Sequence, residues 1–315
     1  MIKIVEVGPR DGLQNETEMV PAGAKVAFVD ALSDSGVSEI EVSAFVSPKM
    51  IPQLKDAATI FENIQRKKGV IYSALVPNSK GFDLAVDAGA DKISVFTAAS
   101  ETFNQKNINT AVDGSLERFR PVVRRARELG LPVRGYLSTA FWCAFEGKIA
   151  PGAVVKLAQR LIDMGIDELS ISDTIGKATP DEVATLMDVL LPKVPAEHIA
   201  VHFHDTYGRG IANVLRSVSY GVQLVDASVG GLGGCPFAPG ATGNVATETV
   251  VAALIKAGKT VAVDTERLIR ARGILDPYLS VKPDAMPSPA PLACFICEFF
   301  DGKNCCGSKT KPLKF

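Results

Sequence analysis

A short signature recurs four times along the 315-residue chain: Gly36-Val37-Ser38-Glu39-Ile40, Gly89-Ala90-Asp91-Lys92-Ile93, Gly165-Ile166-Asp167-Glu168-Leu169 and Gly221-Val222-Gln223-Leu224-Val225. Each places a glycine after a stretch of helical period, with an apolar, strand-like run close behind it. Glycine accepts the left-handed backbone that ends a helix, so each copy reads as the helix-to-strand turn of one βα unit. Around these turns the alternation extends to eight strands, at 2–7, 38–43, 70–76, 92–96, 133–138, 168–172, 199–202 and 224–229. Helical stretches fall at 23–35, 52–66, 80–88, 115–129, 151–164, 180–191, 208–220 and 245–257. Pro151 and Pro180 stand where a first helical turn needs no N–H. Eight βα units in about 260 residues predict an α/β fold of the (β/α)8, or TIM-barrel, type. A doubly wound open sheet would place a G-x-G-x-x-G phosphate loop after the first strand. The chain reads Gly8-Pro9-Arg10-Asp11-Gly12 there, and the barrel is preferred.

The alternation fails near Leu275, where Pro277, Pro283, Pro287, Pro289 and Pro291 fall within 15 residues, a density that no helix or central strand accepts. The expected organisation is a barrel domain over 1–274 and an irregular Pro- and Cys-rich C-terminal extension over 275–315. Four of the six cysteines (Cys294, Cys297, Cys305 and Cys306) lie in the last 22 residues, but the adjacent pair lacks the spacer of a zinc knuckle. A chain of this length builds a core without staples, so all six read as reduced thiols. Lys+Arg 34 against Asp+Glu 35 leaves a net charge of −1 with no long basic run, which argues against nucleic acid as partner. No apolar run reaches the roughly 18 residues of a membrane span, and Met1 leads directly into a strand with no leader pattern. A cytoplasmic protein acting on a small molecule is expected.

In a barrel, chemistry sits at the C-terminal ends of the strands. Arg10 and Asp11 follow the first strand, Glu41 ends the second, Asp173 the sixth, and His202 and His204 the seventh; the loop after the eighth brings Cys235 and Asn244. Two positions apart on a strand, the imidazoles of His202-Phe203-His204 point to one side, as in a divalent-metal site. His198, the third histidine of the chain, begins that strand and reads as structural. Asp11 is either a turn aspartate or a carboxylate that holds metal beside a charge-stabilising arginine. Glu41 and Asp173 line the site or simply pair with Arg10 and Lys177. Gly230-Gly231-Leu232-Gly233-Gly234-Cys235-Pro236 reads as a lid carrying a thiol, or as a long surface loop. Asn244 is a helix N-cap or an oxygen ligand. Oxygen with imidazole suits Mg²⁺ or Mn²⁺, with Zn²⁺ compatible by ligand type.

Several longer stretches carry a family resemblance. Val5-Glu6-Val7-Gly8-Pro9-Arg10-Asp11-Gly12-Leu13-Gln14-Asn15-Glu16, Ser43-Ala44-Phe45-Val46-Ser47-Pro48-Lys49, Ala98-Ala99-Ser100-Glu101, Lys106-Asn107-Ile108-Asn109, His202-Phe203-His204-Asp205-Thr206-Tyr207-Gly208 and Gly231-Leu232-Gly233-Gly234-Cys235-Pro236 closely resemble the 3-hydroxy-3-methylglutaryl-CoA (HMG-CoA) lyase family, in order, from about Ile2 to Gly273. The resemblance implies a divalent cation on Asp11, His202, His204 and Asn244, Arg10 at the thioester carbonyl, and Cys235 on a closing lid. It places Glu41, Asp173 and Tyr136 along the pocket, with Gln14, Cys143, Ser170 and Thr174 also contacting substrate. It implies a homodimer that takes an acyl-CoA, cleaving it in a retro-Claisen reaction to acetoacetate and acetyl-CoA, as in leucine degradation and ketone-body formation. Asp11 would accept the C3 hydroxyl proton, Arg10 would stabilise the enolate and Cys235 would protonate it.

Three departures from the family pattern bear on substrate scope and rate. Trp142-Cys143-Ala144-Phe145 stands where G-C-P-Y is usual, so Trp142 is expected to narrow the pocket or displace its loop. Ala44 replaces a serine beside Glu41, and the extension from Leu275 has no counterpart. A lyase for a longer 3-hydroxy-3-alkylglutaryl-CoA, a Claisen-type condensing enzyme and a non-catalytic barrel are the alternatives. A binuclear metallohydrolase would need about four histidines, and the chain has 3.

Overall fold

The computed structural model describes residues 1–233 and 243–279. Eight parallel strands, β1 (Lys3–Glu6), β2 (Glu39–Ala44), β3 (Ile71–Leu75), β4 (Lys92–Ala98), β5 (Val133–Ser138), β8 (Glu168–Asp173), β9 (Ile199–Phe203) and β10 (Leu224–Ala227), close a barrel. Their order is β1-β10-β9-β8-β5-β4-β3-β2, with β2 pairing back onto β1. All eight strands expected from the sequence are present, within a few residues at each end. The short β6 (Trp142–Cys143) and β7 (Gly147–Lys148) form an antiparallel hairpin after β5.

Outside the strands run α1 (Ala22–Ser33), α2 (Ala57–Asn63), α3 (Ser79–Asp87), α4 (Glu101–Ile108), α5 (Val112–Glu128), α6 (Pro151–Met164), α7 (Pro180–Leu190), α8 (Gly210–Ser219), α9 (Thr247–Lys256) and α10 (Thr265–Gly273). Gly165 ends α6 at φ 103°, the left-handed geometry its signature implies. Gly36 has φ 86°, and a Cβ there would meet the Ala262 carbonyl oxygen, so this turn admits only glycine. The helix expected over 52–66 is broken into a 3-10 turn at Pro52–Leu54 and α2. Tertiary bonds override periodicity there. Asp56 is held by the buried Lys25 ammonium at 2.9 Å, and the Gln53 amide ties to Glu16, Glu18 and Val20. Two helices were not expected. Helix α4 is too polar to show an apolar stripe and is started by Ser100, whose Oγ accepts the Phe103 N–H; α10 is capped in the same way by Asp264.

Barrels of this type usually fill their bore with apolar layers. Here the bore carries ions. Lys92 Nζ lies 2.9 Å from Glu39 and 3.0 Å from Glu168, and the fully buried Arg134 lies 2.5 Å from Glu168 and 2.8 Å from Asp226. Burying such charges is tolerable only when each meets an opposite one. The ladder leads upward into the site, since Asp226 on β10 sits in register with His202 on β9.

Candidate active site

The site grows from the end of β1. Residues Gly8–Gly12 form a single π turn in which the N–H groups of Arg10, Asp11 and Gly12 all point at the Val7 carbonyl. Such turns recur at functional sites because they re-aim side chains. Arg10 and Asp11 are thereby turned over the mouth of the barrel. Arg10 Nε donates to Glu41 Oε2 at 2.5 Å and Arg10 Nη1 to Asp11 Oδ1 at 2.5 Å. Tyr136 OH donates to the same Glu41 oxygen at 3.0 Å, and the Arg10 guanidinium stacks 5.3 Å from the Tyr136 ring. One buried cation is thus fixed by two carboxylates and an aromatic face.

Asp11 is the hub. Its Oδ1 also accepts from Gln14 Nε2 at 2.8 Å, and its Oδ2 from Asn244 Nδ2 at 2.8 Å. Burial would raise its pKa, but Arg10 and the two imidazoles outweigh that and hold the carboxyl well below the usual range. The turn-aspartate reading therefore gives way to the clustered one. His202 Nε2 stands 3.3 Å from His204 Nε2 and 3.9 Å from Asp11 Oδ2. Burial, then His202, lowers the His204 pKa to about 4, so its ring is neutral near pH 7. Asp11, His202 and His204 each offer one ligand atom within 4.8 Å of the others.

This donor set fits a divalent cation. Two imidazole nitrogens facing each other beside an ionised carboxylate are an awkward arrangement unless a positive charge lies between them. Asn244 is not an N-cap, since α9 is entered from Ala246. It bridges to His204 and packs against Gly233, where a Cβ would come within 2.8 Å of its amide nitrogen. As placed, the amide nitrogen faces Asp11, and serving as an oxygen ligand requires the amide to turn over.

The remaining expected residues are distributed around this cluster. Glu41 lies in mid-strand, not at the strand end, and is paired with Arg10. Ser170 sits lower in the bore and donates to Asp226 Oδ2 at 2.8 Å. Cys143 is a buried free thiol that donates to Ser100 at 3.1 Å, and Thr174 accepts the Thr139 N–H at 2.8 Å. His198 contacts the Asp167 carbonyl at the far end of β9, as expected. Cys235 lies outside the described residues, as do the tail cysteines and all the tail prolines except Pro277.

Asp173 is not brought into the cluster. It shares the strand parity of Leu169 and Ile171, opposite to Ser170, and its oxygens accept the backbone N–H groups of Lys177 and Ala178. It pairs with the Lys177 backbone and not with its ammonium. Burial raises the Asp173 pKa from 3.8 to about 7. A carboxyl raised on folding stabilises the native state below its unfolded pKa, and this contribution is lost as pH rises toward 7. Asp173→Asn is expected to remove about 2–3 kcal/mol of the wild-type stability difference between pH 5 and pH 8, read by urea unfolding. An unchanged difference would show that the carboxyl titrates normally.

Trp142 is tied to α7 and to two lysines. Its Nε1 donates to Glu182 Oε2 at 3.1 Å in the first turn of α7, with Lys177 Nζ 3.9 Å and Lys148 Nζ 5.7 Å from the ring centre. Sequence reasoning missed Arg134 and Asp226, charged residues inside strands whose only signal was that a strand buried on both faces should not contain them.

A family model described as HMGL-like matches residues 1–274. The chain belongs to the HMGL-like family. This HMGL-like chain is 47% identical to the mitochondrial hydroxymethylglutaryl-CoA lyase of Bos taurus over 270 residues, covering 86% of this chain and 83% of that one. It is 46% identical to the cytoplasmic 3-hydroxy-3-methylglutaryl-CoA lyase of Danio rerio over 289 residues, 92% of this chain and 86% of the other. An HMG-CoA lyase from Acinetobacter baumannii, solved with coenzyme A and 3-methylmalate, superposes on the HMGL-like barrel with a TM-score of 0.86 at 37% identity, covering 93% of this chain and 94% of that one.

Proposed function

We propose that the barrel cleaves HMG-CoA to acetoacetate and acetyl-CoA, a carbon-carbon lyase reaction, with Arg10 and Asp11 as its central pair. The observation that carries the reading is the Arg10–Asp11–His202–His204 cluster at the C-terminal mouth, in a chain whose relatives are named for this activity. Asp11, His202, His204 and Asn244 would hold a divalent cation, Mg²⁺ or Mn²⁺, which would supply Lewis acidity toward a substrate hydroxyl. The ionised Asp11 accepts the proton of the C3 hydroxyl. As the C3 carbonyl forms, the C2–C3 bond breaks and its electron pair passes to the thioester enolate. Arg10, locked by Glu41 and Tyr136, faces that negative charge without reorganising. The Cys235 thiol then delivers a proton to C2, completing acetyl-CoA.

His202 serves the chemistry as a ligand beside Asp11, and Gln14 fixes the orientation of Asp11 by donating its amide N–H to Oδ1. Cys143 and Thr174 line the approach for the acyl-CoA. Among the described residues no helix is long and apolar enough to cross a membrane. A homodimer, a cytoplasmic location and a place in leucine degradation complete the reading; relatives of both cytoplasmic and mitochondrial name are equally similar.

The test is acetoacetate release from HMG-CoA with Mg²⁺ or Mn²⁺ and then with EDTA, beside Cys235→Ala and His202→Ala. Release is expected to need the cation and to fall to background in both variants. Folded, metal-loaded wild type that releases no acetoacetate would overturn this substrate, and the same assay with a longer 3-hydroxy-3-alkylglutaryl-CoA would then identify the acyl group.

A further inference from the structure

The two imidazoles of the cluster are supported unequally. His202 Nδ1 lies 3.3 Å from Asp226 Oδ2, while the buried His204 Nδ1 has no hydrogen-bond partner among the described residues. Asp226 is itself immobilised. Ser170 Oγ donates to its Oδ2 at 2.8 Å, and Arg134 Nη2 stands 2.8 Å from its Oδ1, with both side chains wholly buried. Arg134 is held in turn by Glu168, which is held by Lys92. The ion ladder of the bore therefore ends on one nitrogen of one histidine.

We propose that Asp226 is the positioning residue of the metal centre: it accepts the Nδ1 proton of His202 and so keeps Nε2 unprotonated, with its lone pair facing Asp11 and His204. This inference rests on the metal-dependent reading above and adds to it the reason why His202 is the fixed ligand and His204 the adaptable one. A neutral imidazole carries one proton, and whichever nitrogen bears it cannot donate a lone pair. A carboxylate behind Nδ1 settles that choice before any ion arrives. Ser170, which the family resemblance places on the substrate, belongs to this support: its hydroxyl is spent on Asp226.

Asp226→Asn reverses the choice. Arg134 has only donors to offer, so it keeps the new amide oxygen on its own side, and the amide NH2 then faces His202. That NH2 donates to Nδ1 and drives the ring proton to Nε2, into the ligand space. A carboxylate-to-amide change behind a serine protease's catalytic histidine acts in this way.

The probe is Mn²⁺ alone, titrated into the full chain and followed by the EPR signal of the free ion, for wild type, Asp226→Asn and His202→Ala. Far-UV circular dichroism checks that each is folded. The expected result is a 10–100-fold weaker Mn²⁺ affinity in folded Asp226→Asn, the range for loss of an outer partner of a ligating histidine, with binding abolished in His202→Ala. Wild-type affinity in Asp226→Asn together with loss in His202→Ala would overturn the role of Asp226 and leave the metal site standing. Wild-type affinity in His202→Ala would overturn the metal site itself and this inference with it. Should Asp226→Asn fail to fold, the imidazole ¹⁵N spectrum of metal-free wild type decides: a His202 proton on Nδ1 supports the assignment, and one on Nε2 overturns it.

Discussion

Replacing Arg10 by glutamine is expected to lower kcat about 10³-fold while KM changes far less. Loss of one transition-state donor typically costs 10²–10³ in kcat, and Arg10 adds a full charge in a water-poor pocket. A residue that acts on the developing enolate stabilises the transition state more than bound substrate, so the loss falls on turnover. Lysine at position 10 should recover only part of it. A single ammonium cannot reach Glu41 through one nitrogen and Asp11 through another as the guanidinium does, at 2.5 Å each. Steady-state kinetics on folded protein would check this; an equal loss in kcat/KM carried wholly by KM would assign Arg10 to substrate binding alone.

The second large effect falls on stability. Arg134→Met is expected to destabilise the fold by about 3–5 kcal/mol, because it leaves Glu168 and Asp226 facing each other without their shared cation. In the wild type, burial tends to raise both carboxyl pKa values, and Arg134 outweighs it and holds them low. Without Arg134 both would rise, so the variant would take up protons on folding. Its deficit is therefore expected to be largest above pH 7 and to shrink as pH falls. Denaturant midpoints at two pH values measure this. A deficit under about 1 kcal/mol at pH 8 would mean that solvent reaches the bore and screens the pair.

The sequence carried the architecture because βα units repeat a local rule. Gly36, Gly89, Gly165 and Gly221 each mark a backbone turn that few other residues accept, and each lies where a helix gives way to a strand. The same locality made His202 and His204 legible, since two positions along a strand fix their common side. Arg10 and Asp11 were legible as residues but not as geometry. Nothing in Gly8-Pro9-Arg10-Asp11-Gly12 announces a π turn, and the alternatives for Asp11 closed only when Gln14, Asn244 and the histidines were seen around it. The ion ladder was illegible for a different reason. Lys92, Arg134, Glu168 and Asp226 lie on four different strands, and only the closure of the barrel brings them together across its bore. Asp173 looked like a site residue by position along the strand, yet side-chain parity turned it away. Trp142 was legible as a large ring near the mouth but not as geometry: its N–H is held by Glu182, and two lysines stand by its ring.

That placement of Trp142 has an optical consequence. It is the only tryptophan in the chain, so the protein's indole emission comes from one ring, close to Lys177 and Lys148 and hydrogen-bonded to α7. The intrinsic fluorescence is a gauge of how firmly the β6–β7 hairpin is fastened to the outer shell, read from a position that the bore and its ions do not touch.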